Sequence, residues 1–460
     1  MSKSQKSYWL TSGLFSLFEK GSVFVFGFIG TVLLIRALDI AEFGIWALFL
    51  ATTSLFEVAI IGLVQNALVK HLTTAQGDED YGKINTASLF LNFLFTTFAA
   101  LILFFAGEAI AGLISQVVED SQLAKMFHLF IFTLFLIIPF YQFNNIQQAN
   151  LNFKGIFWSN FVRKGSFFIG VVLLFFGVLK LEVITLVYLQ MVGAVLGSVV
   201  AWIFAKPYIK FSRKIDTEWV ATLFHYGKYV FGTNLSTMLY KNIDRLMLGS
   251  LLSEVAVAIY DLAIRITNLI DVPAVSVASV VFPQGAKQAK DKGIEAIQVL
   301  YEKSVAAILC LILPFILFIL LFPEVVIMII GGEKYLDTVP ILRMTILFGL
   351  FLPFAIQFGT VLDSIGRPKI NFYFTLAGMI LNVVLNYLFI TKFGVVGAAL
   401  GTLSTYGITF VLQQVILYRL FRVKAYRVFT YIPVLYKEAY KIAKKILNKS
   451  ELGVQTKAKV

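Results

Sequence analysis

Three features of this sequence predict an all-α polytopic membrane protein. Of its 460 residues, 59% are hydrophobic and only 14% are charged, too little polar surface to clothe a water-soluble body of that size. Apolar runs of spanning length, about 20 residues each, recur along nearly the whole chain, and about twelve can be counted. The formal net charge of +13 is gathered in short connections and in the tail, which is the positive-inside pattern of membrane helices and not a nucleic-acid surface. The single cysteine, Cys310, lies in an apolar run. It excludes an intrachain disulfide and offers no metal site.

In chain order, the first run covers 9–35. Two lysines precede it and no small-residue cleavage site follows, so it is expected to stay as an uncleaved first span. The second, 43–69, is separated from the third, 84–106, by the polar loop HLTTAQGDEDYGK. Runs at 127–146, 156–179 and 183–205 complete a first group of six. The longest polar connection, KPYIKFSRKIDTEW, comes next and marks the expected boundary between two lobes, 1–215 and 216–421. The second group lies at 225–251, 255–282, 296–322, 339–362, 370–390 and 395–420.

Loop charge sets the orientation. Lys70, Lys83, Lys154, Lys206, Lys210, Arg213, Lys214, Lys287, Lys290, Lys292, Arg367 and Lys369 fall on one side with the basic ends. The other side has Arg36, Lys125, Lys180, Lys334 and Lys392 scattered among acids. Both termini are therefore expected in the cytoplasm. Residues 422–460 form a basic tail in which Leu435, Ala439, Ile442 and Ile446 recur at helical spacing. Two readings stand there: an amphipathic helix on an anionic leaflet, or a solvated tail that fixes topology. RALDIAEFGIWAL (36–48) after the first run and GSLLSEVAVAIYDLA (249–263) after the seventh echo one another. Parallel repeats with a site between them are one transporter plan.

Charges within spans are costly and usually face a protein interior or a water-filled cavity. On the seventh span, Asn234, Thr237, Lys241 and Asp244 follow at spacings of three and four with Arg245 beside them, so they line one helix face. The eighth places Asp261, Arg265, Asn268 and Asp271 on another face. The first carries Glu19 and Lys20, the second Glu57, the fifth Arg163 and Lys164, and the eleventh Asn382 and Asn386. One reading makes Asp261–Arg265 and Lys241–Asp244 neutralised pairs, with Asn382 and Asn386 as interhelical glue. The other gathers a net-positive cavity. Lys20, Arg163, Lys164, Lys241, Arg245 and Arg265 would meet an anionic, phosphate-bearing substrate there. Asn234, Thr237, Asn268, Asn382 and Asn386 would form its polar lining. Glu19, Glu57, Asp244 and Asp261 are the candidates for ion coupling. His71, His128 and His225 are scattered without partners at metal spacing, and no phosphate-cradling glycine loop is present, so neither a metal centre nor ATP hydrolysis is expected.

Three stretches resemble one family. RALDIAEFGIWAL resembles the R-x-L-x-x-x-E-[FY]-G-x-[WY] turn of bacterial polysaccharide-export flippases. NIDRLMLGSLLSEVAVAIYDLAIRI (242–266) is similar to their D-R-x-x-[LI]-G … Y-x-x-A segment. IGRPKINFYFTLAGMILNVVLNYLFITKFGVVGAALGTLSTY (365–406) is similar to their G-[RK]-x-K … N-x-x-x-N … G-x-x-G-A-A pattern. The family belongs to the multidrug, oligosaccharidyl-lipid and polysaccharide exporter superfamily. The resemblance implies two six-helix lobes in a V around a central cavity, and turnover of an undecaprenyl-pyrophosphate-type oligosaccharide (O-antigen, capsule or similar) to the outer leaflet. It further implies the bacterial cytoplasmic membrane as location, a polymerase of the same pathway as partner, and no cofactor beyond an H+ or Na+ gradient. The family's cationic cavity matches Lys20, Arg163, Lys164, Lys241, Arg245 and Arg265. Cation-coupled multidrug antiporters, with Glu19 as the coupling carboxylate, lipid II flippases, and an intramembrane polymerase or ligase are the alternatives.

Overall fold

The computed structural model describes residues 3–116, 122–291, 293–438 and 441. Among these there is no β-strand. The chain divides into two compact units, Met1–Asp261 with Met328–Tyr335, and Leu262–Ile327 with Leu336–Val460.

The first unit holds α1 (Lys3–Ala37), α2 (Ile40–Thr73), α3 (Asp78–Ile114), α4 (Gln122–Ala149), α5 (Phe153–Phe175), α6 (Val183–Ala205), α7 (Thr217–Leu251) and the start of α8 (Glu254–Thr267). Helix α2 is its hub, lying along α7 and against α3 and α4. Its Leu63, Val64, Ala67, Leu68 and Leu72 recur at helical spacing and bury against Ile84, Ala87 and Leu91 of α3 and Ile146 of α4. Helix α7 approaches so closely that a Cβ on Gly227 would lie 1.7 Å from the Leu63 carbonyl oxygen. Only glycine fits that crossing. Helices α4, α5 and α6 pack together, with α1 on α5.

The polar connection between α6 and α7 is pinned to the start of α3. The Ser212 N–H donates to the Gly82 carbonyl (3.2 Å) and Asn85 Nδ2 to the Lys210 carbonyl (3.1 Å). Lys210 also pairs with Asp78. A polar connection in the sequence is thus a fixed element of this unit.

The strap 328–335 joins the first unit through an exchange of helix caps. Helix α11 (Pro323–Ile330) ends where Arg36 donates to the Met328 and Ile329 carbonyls (3.3 and 2.5 Å). Lys334 in turn donates to the Arg36 and Leu38 carbonyls at the end of α1 (3.3 and 2.5 Å). The last carbonyls of a helix lack intrahelical partners and carry partial negative charge, so a cation there both bonds and neutralises. Tyr335 closes the clasp, fully buried beside Phe43.

The second unit holds α9 (Asp271–Asp291), α10 (Gly293–Leu321), α12 (Val339–Thr345), α13 (Phe348–Ser364), α14 (Pro368–Phe393) and α15 (Val395–Phe421). Helix α9 packs on α10 and α13, and α14 runs along α15. The expected eighth span, 255–282, is broken: α8 ends at Thr267, a 3-10 turn covers Asn268–Ile270, and α9 begins at Asp271. Pro273 cannot donate to a preceding carbonyl, which accounts for an interruption just before it. The polar face expected to run from Asp261 to Asp271 therefore stops at this turn. The expected span 339–362 is also split, with a 49° bend between Glu333–Thr345 and Phe348–Ser364. By length and hydropathy, eight described helices can cross a bilayer, or nine with the bent pair, where the sequence suggested about twelve. Helices α5 and α7 fall outside that set, and both carry charges along their length.

After α15 the chain turns through Arg422, in the left-handed region at φ 58°, and residues 425–438 are helical. This helix is docked on α10. The fully buried Glu302 accepts the Lys424 N–H at 3.0 Å, and the Tyr436 hydroxyl donates to the Cys310 carbonyl at 2.7 Å. Of the tail positions expected on an amphipathic face, Leu435 is half-buried here. Ala439, Ile442 and Ile446 lie outside the described residues.

Candidate functional site

A cleft of about 390 Å³ opens in the first unit between α2, α4 and α7. Ser54, Glu57, Val58, Ile61, Gly62 and Gln65 of α2 line it at spacings of three, one, three, one and three, one continuous helix face. Asn234, Thr237, Met238 and Lys241 of α7 face them, and Tyr141 of α4 closes the base. Gly62 lets α7 approach: a Cβ there would meet Asn234 Nδ2 at 3.0 Å. Glu57 and Tyr141 also border an inner void of about 10 Å³, with Asn92 and Asn145 on its far side. That is room for about one water molecule.

Behind Tyr141 stands Arg163 of α5. Its Nη1 donates to the Tyr141 hydroxyl at 3.4 Å, and its guanidinium lies 4.5 Å from the Phe140 ring centre and 5.5 Å from that of Tyr141. Stacking on two rings lets this half-buried arginine keep its charge with few hydrogen bonds. Helix α6 makes the room. A Cβ on Gly193 would sit 2.8 Å from the Arg163 carbonyl, and one on Gly197 2.7 Å from Arg163 Cβ. Lys164 follows it, half-buried, and both cations feel the charge of Glu57. Among the described residues at the cleft and behind it, then, Arg163, Lys164 and Lys241 outnumber the carboxylate of Glu57.

The other residues singled out in the sequence are placed differently. Arg245 forms a nearly dry ion pair with Asp261 (2.5 Å) and also donates to the Lys241 carbonyl and to Asn242. Asp244 accepts the Tyr260 hydroxyl at 2.5 Å. Both bonds tie α7 to α8. Lys241, expected to pair with Asp244, instead faces the cleft with an exposed side chain. Asn382 and Asn386 are fully buried in a ladder. Asn386 donates to Asn382 (3.1 Å), and Asn382 donates to Thr402 of α15 (3.0 Å). They form the α14–α15 seam and are not among the residues lining the cleft of the first unit. Glu19 and Lys20, half-buried and exposed on α1, are not among the residues lining the cleft. Arg265 is half-buried on α8 and Asn268 is exposed in the 3-10 turn, both in the second unit.

Tyr141, Gln65 and Ser54 were not singled out in the sequence. Tyr141 has no charge to betray it, but a signal existed. It opens the polar run Gln142, Asn144, Asn145 and Gln147, which is unusual in a span and follows Pro139. The run itself is structural: Ser88, Asn85 and Asn92 of α3 all bond Gln142, and Ser159 of α5 donates to Asn144.

A family profile described as "Polysaccharide biosynthesis protein" matches residues 33–340. Over 194 residues the chain is 26% identical to the probable low-salt glycan biosynthesis flippase Agl15 of Haloferax volcanii, covering 42% of this chain and 41% of that protein. Over 218 residues it is 32% identical to an uncharacterized membrane protein of Methanocaldococcus jannaschii, covering 46% and 41%. The chain thus spans about two fifths of these relatives' lengths. It is 20% identical to the putative O-antigen transporter of Shigella flexneri over 80% of this chain and 87% of the other. Among solved structures, lipid II flippase MurJ in an inward closed conformation superposes with a TM-score of 0.75 at 18% identity, covering 92% of each chain. An inward-facing multidrug resistance transporter of the MATE family superposes at 0.75 with 16% identity, covering 86% and 95%. These two likenesses show the fold, which the chain shares with both transporters. With the profile covering well over half of its length, the chain belongs to the polysaccharide biosynthesis protein family.

Proposed function

We propose that this multi-pass membrane protein is a flippase, a transporter and not a catalyst, which turns a polyprenyl-pyrophosphate-linked oligosaccharide from the inner to the outer leaflet by alternating access. In this reading 1–215 and 216–421 are the two lobes, both chain ends are cytoplasmic, and an H+ or Na+ gradient supplies the energy. The carrier lipid is of the undecaprenyl type in a bacterial cytoplasmic membrane, and a polymerase of the same pathway receives the product. The observation that carries the reading is the chemistry of the cleft between α2, α4 and α7. Hydroxyls and amides at Ser54, Gln65, Asn234 and Thr237, with the carboxylate of Glu57, suit sugar hydroxyls. The Tyr141 ring offers an apolar face to a pyranose. Lys241, backed by Arg163 and Lys164, gives the excess positive charge that a pyrophosphate requires. Arg245 is left out of the contact set because Asp261 already holds it.

The test is complementation in a strain that depends on this gene for its surface glycan. Lys241→Ala and Arg163→Gln each lower export roughly tenfold, the usual cost of losing a charge-assisted bond. Wild-type surface glycan at normal protein abundance for both variants would sink the assignment.

A further inference from the structure

A second polar feature lies in the other unit, where the chain leaves α15. Arg419, Arg422 and Arg427 are exposed there, with Lys424 half-buried between them. Lys303 of α10 joins them, exposed and 5.7 Å from the Tyr431 ring centre. The neighbouring carboxylate, Glu302, does not neutralise this group at its surface. It is fully buried and accepts the Lys424 N–H and Gln298 Nε2, both at 3.0 Å. The same bond fixes the turn that presents the arginines.

The helix over 425–438 has two apolar faces. Val428 is fully buried, and Tyr431, Ile432 and Leu435 are half-buried on the side that meets Lys303 and Cys310. On the other side Tyr426, Phe429 and Pro433 recur at spacings of three and four, all exposed, while the Tyr436 hydroxyl reaches back to the Cys310 carbonyl. Phe429 is 59% and Tyr426 62% exposed. A water-facing tail would not carry an aromatic stripe on its free side. Moreover, the helix lies against Cys310, well inside the apolar span Glu295–Leu321 of α10. Its free side therefore stands at bilayer depth, with arginines at its base.

We propose that this surface is a binding site for an anionic phospholipid of the surrounding bilayer. The phosphate headgroup sits on Arg419, Arg422, Arg427 and Lys303, and an acyl chain runs along Tyr426, Phe429 and Pro433. Clustered cations immediately outside a span attract anionic headgroups, and interfacial aromatics anchor at the same level. The docked helix makes the site rigid, unlike the free tail that sequence alone allowed. It is independent of the cleft in the first unit.

Purified full-length protein is titrated with phosphatidylglycerol or phosphatidylcholine, and bound lipids are counted by native mass spectrometry. Phosphatidylglycerol binds preferentially, and the preference falls in about 0.5 M salt, where screening is strong. Arg419→Gln with Arg427→Gln weakens phosphatidylglycerol binding roughly fivefold for each cation removed. Phe429→Ser weakens both lipids. Arg213→Gln with Lys214→Gln, exposed cations of the α6–α7 connection, changes nothing. Equal binding of the two lipids by the wild-type protein overturns the proposal. So does unchanged phosphatidylglycerol binding by a folded Arg419/Arg427 variant. If that variant does not fold, the wild-type preference and its salt dependence decide alone.

Discussion

Arg245 and Asp261 illustrate how a charge can look like a ligand and act as a fastener. Their side chains are 12% and 1% exposed, so each has given up water for the other. Removing one leaves a buried charge without its counter-ion, which costs about 3–5 kcal/mol, whereas replacing both by apolar groups is often neutral. Arg245→Met should therefore lower the melting temperature of the purified protein markedly, and Arg245→Met with Asp261→Leu should recover most of it. A double variant as unstable as the single one would contradict the pairing. The sequence marked these residues as charges on two neighbouring spans, but it could not show which acid each cation takes. Spacing along one helix favours partners three or four residues away, whereas the bond here joins α7 to α8 across a turn. Lys241 illustrates the reverse. Its expected partner Asp244 goes to Tyr260, which leaves the lysine to the cleft.

Among the elements, α14 and α15 show what legible glue looks like. Two asparagines one turn apart, opposite Thr402 and Thr405, form a dry ladder, and amide bonds of this kind between membrane helices contribute about 0.6 kcal/mol each, at most about 1.7. Asn382→Leu is expected to loosen this seam by that amount while leaving glycan export within about twofold of wild type. Thermal unfolding and complementation measure the two effects, and a collapse of export without loss of stability would move Asn382 from seam to substrate path. The long helices α1–α4, α6, α14 and α15 were readable because continuous apolar runs leave a chain in lipid no other way to satisfy its backbone. The interruptions at 268–270 and between α12 and α13 were not. A break costs few residues, and apolar composition continues through it, so hydropathy does not register it. The cleft was half legible: Glu57, Asn234, Thr237 and Lys241 announce themselves as polar residues in spans. Tyr141 does not, because its importance comes from where α4 places it.

At the scale of the molecule, the first unit is built from two separate parts of the chain, and the cap exchange between Arg36 and Lys334 joins them. Arg36→Gln with Lys334→Gln should raise amide hydrogen exchange across 328–335 and leave that of α14–α15 unchanged. Unaltered protection of the strap would show that the Tyr335–Phe43 contact alone holds it. This connectivity has a consequence for synthesis. A ribosome releases α1 to α7 long before it reaches the strap, so the nascent first unit waits with the end of α1 uncapped and Phe43 uncovered while roughly seventy further residues emerge, several seconds of elongation at least. The long separation between Arg36 and Ile329, 293 residues apart in sequence, makes this closure one of the last events of folding, and one that a truncated chain ending before residue 328 never reaches. Quality control that surveys this end of the helices would therefore meet an open α1–α2 corner in every unfinished copy and a closed one in every finished copy.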